Sequence, residues 1–335
     1  MSATGQDVSN LSGYAPALPT PFDSVGNIDG AAFEKLCDLQ ITKGAAALVV
    51  CGTTGEAPTL SPAEHRELVQ IAVNVSHGRV PVIAGAGSNS TEHAIELSQD
   101  AEAAGADAIL SVVPYYNKPT QVGLYAHFDD IAQSIGLSII LYDVPARTVV
   151  SLADSTVARL AEIPQIIGLK DATGDMTRPA RLRPLVGPGF RLLSGDDATA
   201  LAFFAQGGDG CISVTSNVAP GLCRALYLAV RRGQIGQAQL LASDVMNLTA
   251  AVFSDPNPVP VKYALSLLNV MRSQVRLPLV EPRDETKATI RCALDRLLQR
   301  FPDCLIGCLD DQPTNHMTDA ISPMGRSLLG PKVHR

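Results

Sequence analysis

One repeating pattern governs what this chain can fold into. At intervals of roughly 20 to 35 residues a short apolar run ends in Gly, Thr, Ser, Tyr or Lys, and an Ala/Leu/Glu-rich stretch of helical character follows. The runs occupy residues 14–18, 47–51, 80–84, 108–112, 137–142, 166–170, 190–194 and 211–214. Short buried strands alternating with helices pair in parallel through βα units. Eight such units before residue 220 predict an α/β fold of the closed (β/α)8 TIM-barrel type. A doubly wound open sheet is the alternative. Its first turn would carry a Gly-rich phosphate loop, whereas this chain has Pro19-Thr20-Pro21-Phe22 there.

Local signals agree. Ser61-Pro62-Ala63-Glu64 offers an N-cap serine, a proline at the first helical position and a glutamate three residues after the cap. Gly44, Gly105 and Gly136 fall where helices must stop before the next strand. Residues 220–300 keep helical spacing of apolar positions with no strand-like run, broken by the Pro-rich segment 254–260. The expected division is a flexible N-terminus (1–12), the barrel (13–225), a C-terminal helical subdomain (226–300) and a poorly ordered tail (301–335).

Composition then narrows the chemistry. Of 335 residues, 46% are hydrophobic and 18% charged, with a net charge of -7 and no basic block, so nucleic acid is not an expected partner. No apolar run reaches the roughly 18 residues of a membrane span, and residues 1–12 lack the order of a signal peptide. A cytoplasmic protein is expected. Seven scattered cysteines argue against a disulfide framework. Cys304 and Cys308 form the only close pair, without a second pair or a histidine set, and read as free thiols rather than metal ligands.

Barrels of this type build their active sites at the C-terminal ends of the strands. Those ends present Gly52-Thr53-Thr54-Gly55-Glu56, Gly85-Ala86-Gly87, Pro114-Tyr115-Tyr116-Asn117, Tyr142-Asp143 followed by Arg147, Lys170-Asp171, Ser194-Gly195-Asp196-Asp197 and Thr215-Ser216-Asn217. None of the six histidines lies among them. A divalent-metal site would want two or more histidines facing the mouth, so metal-assisted chemistry is disfavoured and no metal is expected.

Lys170, one of seven lysines, ends the apolar run Ile166-Ile167-Gly168-Leu169. A lysine in an apolar mouth can be a nucleophile, because burial disfavours the ammonium and raises the neutral amine fraction. The amine attacks a ketone, and the protonated imine is an electron sink that acidifies the neighbouring carbon. The bland alternative is a surface lysine snorkelling at a strand end. Tyr142, at the same barrel level, and the hydroxyls of Thr53 and Thr54 suit proton transfer to and from the carbinolamine. For Tyr142 alone, a core tyrosine with a backbone partner is the plain reading. Arg147 can fork onto a carboxylate or be an ordinary loop arginine. The 52–56 turn offers backbone amides suited to an anion.

These residues resemble the dihydrodipicolinate synthase (4-hydroxy-tetrahydrodipicolinate synthase) family of the pyruvate-dependent class I aldolase superfamily. The resemblance spans residues 13–293 through GTTGE (52–56), PYYNKP (114–119), LYDVPART (141–148), GLKDATG (168–174), LLSGDD (192–197), ISVTSN (212–217) and PNPVPVK (256–262). It implies that Lys170 forms the Schiff base with pyruvate. It implies that Tyr142, Thr53 and Tyr116 relay protons, with Tyr116 reaching in from a neighbouring subunit. Thr54 matches the pyruvate-carboxylate contact and Ile212 a backbone contact near the pyruvyl group, and Gly195 is grouped with these substrate contacts. Arg147 matches the arginine that orients L-aspartate 4-semialdehyde. The implied enzyme is a lyase of the diaminopimelate route to lysine, a homotetramer needing no cofactor.

The chain departs from the family at several positions. Asp143 stands where Asn is usual, and a carboxylate there is expected to alter Tyr142 or disturb the arginine loop. Val149 replaces a usual Gly. At the lysine-feedback site His65, Asn89 and Tyr115 match, but Pro62 replaces a His and His93 replaces a Glu, so weak or absent inhibition by L-lysine is expected. Two other readings stay open: a sister aldolase acting on a sugar acid, and a non-catalytic pyruvate-binding homologue.

Overall fold

The computed structural model describes residues 8–307. Eight parallel strands form one sheet in the order β1-β8-β7-β6-β5-β4-β3-β2. They are β1 (Gly13–Pro16), β2 (Leu48–Val50), β3 (Val82–Gly85), β4 (Ala108–Val112), β5 (Ser138–Asp143), β6 (Ile166–Asp171), β7 (Arg191–Ser194) and β8 (Gly210–Ser213). A parallel bridge between Ala17 and Val49 joins the two edges, so the sheet closes into a barrel. The open-sheet alternative is thereby excluded.

Helices cover the outside: α1 (Gly30–Thr42), α2 (Pro62–Ser76), α3 (Thr91–Ala103), α4 (Gln121–Ser134), α5 (Pro145–Thr148), α6 (Asp154–Leu160), α7 (Arg178–Val186) and α8 (Ala200–Ala205). After β8 come α9 (Pro220–Arg231), α10 (Ile235–Val252), α11 (Val259–Leu267) and α12 (Asp284–Arg300). The start of α2 is a full capping box: Glu64 N donates to Ser61 Oγ, and Ser61 N donates to Glu64 Oε2. Gly44 and Gly105 take left-handed φ of +87° and +90° beyond their helices. Gly136 does not belong with them. Its N–H bonds Glu102 Oε1 at 2.9 Å, and a Cβ there would meet that same oxygen.

Strand alternation sorts the core into two layers. Ile139, Leu141, Ile166 and Leu169 face outward and pack under the helices. Ala15, Ala47, Val49, Ile83, Ala108, Leu110, Ile140, Tyr142, Leu193 and Ile212 fill the barrel interior. Val8 and Leu11 join this inner layer, although residues 1–12 were expected to be flexible. They precede β1, and Arg191, the first residue of β7, holds Ser9 O and Asn10 Oδ1. Two apolar side chains therefore plug the N-terminal end of the barrel. The far end differs from expectation too. Leu305 and Ile306 are fully buried, and Ile306 N bonds Val218 O at 3.0 Å, so packed chain continues past residue 300. The remainder of the expected tail, with Cys308, lies outside the described residues.

No helix of the described residues is long and apolar enough to cross a membrane. Among those residues Cys37, Cys51, Cys211 and Cys223 are buried free thiols. Burial pushes the Cys37 and Cys51 thiols above their ordinary range, which suits packing rather than nucleophilic work.

Candidate active site

Lys170 and Tyr142 are register partners at the C-terminal ends of β6 and β5. Alternation turns both side chains into the barrel mouth. Both are buried, and Lys170 Nζ sits 4.1 Å from the centre of the Tyr142 ring. A cation or amine over a tyrosine face is electrostatically favourable, so the ring holds the nitrogen in place. On the other side, Gly195 follows β7 where a Cβ would lie 3.1 Å from Lys170 Cε and 2.9 Å from Ala172 Cβ. A side chain at 195 would crowd the lysine stem. Ile212, paired in register with Ala15, faces the interior from β8.

Asp197 shapes the end of β8. Its carboxylate accepts from Val214 N (2.8 Å), Thr215 N (2.9 Å) and Ser213 Oγ. Burial pushes this carboxyl up, and those donors oppose the shift.

The 52–56 turn is pinned from the C-terminal helices. Cys51 precedes it and Glu56 closes it, with left-handed φ of +53° and +57°. Thr54 is buried and its Oγ1 takes a hydrogen bond from Asn257 Nδ2 at 3.0 Å, while Thr53 is half-buried. Glu56 Oε1 pairs with Lys262 Nζ at 2.6 Å in full burial, and Glu56 Oε2 accepts from Arg276 N at 2.9 Å. Phe22 lies beneath both cations, 4.2 Å from Lys262 Nζ and 4.3 Å from Arg276 Cζ. Sequence reading gave Glu56 and Lys262 no role. Each sat in a quoted motif, but their partnership spans 206 positions and leaves no local trace.

Arg147 stands exposed on α5, two residues before Val149, whose φ is +66°. Tyr116 is not brought to Lys170 within one chain: it is 89% exposed on a loop where its own φ is +71°. Asn117 ties that loop back, through Nδ2 to Asn89 O at 2.8 Å.

Asp143 behaves otherwise than its position beside Tyr142 suggests. Alternation points it outward, fully buried, where Oδ2 accepts from Arg178 Nη1 (2.8 Å), Ser151 Oγ (2.8 Å) and Leu152 N (3.1 Å). Burial pushes its carboxyl up and the Arg178 guanidinium pulls it down. Arg178 is thus a second arginine near the strand ends and, unlike Arg147, a buried one; it was overlooked because it follows β6 by a full loop.

Among the described residues no cluster of three or more His, Cys, Asp or Glu is arranged to hold a metal ion. Residues 10–297 match the model of the dihydrodipicolinate synthetase family. The chain belongs to this family. It is 52% identical over 282 residues to the 4-hydroxy-tetrahydrodipicolinate synthase of Rhodospirillum centenum, a match covering 84% of this chain and 97% of that one. Among solved structures, the chloride-inhibited dihydrodipicolinate synthase of Acinetobacter baumannii complexed with pyruvate superposes with a TM-score of 0.83 at 42% identity, over 85% of this chain and 98% of the other. A monomeric dihydrodipicolinate synthase variant superposes at 0.84 with 38% identity, over 87% and 98%. This family member thus keeps the barrel of its relatives along almost their whole length.

Proposed function

We propose that the chain is a Schiff-base-forming lyase, a 4-hydroxy-tetrahydrodipicolinate synthase, that condenses pyruvate with L-aspartate 4-semialdehyde. The observation that carries this reading is the juxtaposition of Lys170 Nζ and the Tyr142 ring at the barrel mouth, in a chain of this family.

The neutral Lys170 amine attacks the ketone carbon of pyruvate, and the carbinolamine loses water to give a protonated imine. The imine withdraws electrons, so the methyl carbon gives up a proton and becomes an enamine. That carbon forms the new bond to the aldehyde carbon of the semialdehyde, whose oxygen takes up a proton. The semialdehyde's amino group then displaces Lys170 from the imine carbon, closing the ring and freeing the lysine. One water is released overall. The imine is the electron sink, so the reaction calls for no metal or organic cofactor.

Tyr142, Thr53 and Tyr116 carry the protons. Thr54, Ile212 and Gly195 hold the pyruvyl group, and Arg147 forks onto the semialdehyde carboxylate. An exposed tyrosine on a left-handed loop suits a residue completed by a second copy, which supports a homotetramer of paired dimers. The monomeric relative shows that the fold alone does not dictate this. Residues 13–225 carry the chemistry and residues 226–300 brace it, in a cytoplasmic enzyme of the diaminopimelate route to lysine. The outward turn of Asp143 onto Arg178 removes the main reason to favour a sugar-acid aldolase.

The test is turnover of pyruvate with L-aspartate 4-semialdehyde, set beside cleavage of N-acetylneuraminate and keto-deoxy sugar acids. Condensation with the semialdehyde alone is expected. Preferential sugar-acid cleavage overturns the assignment of the second substrate.

A further inference from the structure

We propose that Arg178 is a positioning residue for this reaction, clamping from outside the barrel the two strand ends that carry Tyr142 and Lys170. The inference rests on the proposed function.

The geometry follows from strand alternation. Tyr142 and Lys170 are register partners and point inward, so the next pair, Asp143 and Asp171, points outward. Arg178, in the first turn of α7, reaches both. Nη1 lies 2.8 Å from Asp143 Oδ2 and 3.4 Å from Asp171 Oδ2. Its other two nitrogens are also engaged: Nε bonds Asp154 Oδ1 at 3.1 Å and Nη2 bonds Leu152 O at 2.6 Å. All three of Arg178, Asp143 and Asp171 are buried. Asp171 is held further by Thr173, whose N and Oγ1 both donate to Oδ1.

One planar fork therefore ties β5, β6, the segment after α5 and the start of α6. Lysine carries the same charge but cannot reproduce a planar fork with donors in several fixed directions. The clamp acts on residues one position from the proton donor and the nucleophile. A slip of one strand end against the other would change the separation of Tyr142 and Lys170. Misplacements of about 1 Å can cost on the order of 100-fold in rate.

A purely structural ion cluster would lower stability and leave each folded molecule fully active. The two roles separate in Arg178→Lys. Folded fraction is read by circular dichroism and thermal melting. The rate and final extent of borohydride-trapped pyruvate on Lys170 are read by mass spectrometry, and kcat and KM by turnover. The expected result is a full final extent of trapping, a KM for pyruvate near the wild-type value, and a trapping rate and kcat that fall together by about 10- to 100-fold per folded molecule.

If Arg178→Lys does not fold, Asp143→Ala decides. It removes one arm and leaves Arg178 paired with Asp171 and Asp154, and a smaller fall in the same two rates is expected. Wild-type trapping rate and kcat in the folded variant overturn the proposal. An absence of trapped pyruvate in the wild-type protein overturns instead the function on which it rests.

Discussion

Replacing Lys262 by methionine tests how the C-terminal helices hold the pyruvate-side turn. Lys262 Nζ and Glu56 Oε1 are 2.6 Å apart with both side chains buried. Methionine fills similar volume but leaves the Glu56 carboxylate buried with the Arg276 N–H as its remaining hydrogen-bond donor and the Arg276 guanidinium as its remaining nearby cation. Removing one member of a buried ion pair typically costs about 3–5 kcal/mol, because the orphaned charge keeps its desolvation penalty. The face of Phe22 also loses its ammonium, a contact worth about 1–2 kcal/mol when desolvated and already partly counted in that range. For a chain of this size the expected drop in Tm at pH 7 is about 4–7 °C.

Glu56→Gln/Lys262→Met removes both charges and should recover more than half of the loss, since the penalty lies in the unpaired charge rather than in the missing attraction. A loss below about 1 kcal/mol at pH 7, or a double variant less stable than both singles, refutes the reasoning.

Two further outcomes follow from single positions. Val149 adopts a left-handed φ of +66° while largely exposed, so Val149→Gly should raise stability by up to about 1 kcal/mol in thermal or denaturant unfolding; a loss would mean that the side chain contributes a contact worth more than its backbone strain. L-lysine should inhibit weakly or not at all in initial-rate assays, because Pro62 occupies the first helical position of α2 and His93 faces Glu96 at 3.3 Å, offering no free carboxylate for an ammonium; an inhibition constant at or below the millimolar range contradicts this.

The barrel was legible because its strands announce themselves locally. Apolar runs ending in small or polar residues fixed β4 to the residue and most other strands to within two residues. The lysine at the end of β6 was legible for the same reason, as an ionisable group terminating an apolar run. What escaped was long-range and charged. Glu56 and Lys262, or Asp143 and Arg178, look in sequence like ordinary solvated charges, and only their mutual burial reveals them. Val8 and Leu11 escaped because each is flanked by polar residues, although the barrel they plug gives them an apolar destination. Gly136 falls where α4 stops, as expected, but meets a different physical requirement there, a close approach to the Glu102 carboxylate rather than a left-handed φ.

Incubation with pyruvate followed by borohydride reduction and peptide mass spectrometry tests the central claim most directly. The account predicts one reduced pyruvyl adduct per chain, on Lys170, absent from Lys170→Arg and undiminished by mutation of Lys262. An unmodified Lys170, or an adduct on another lysine, contradicts it.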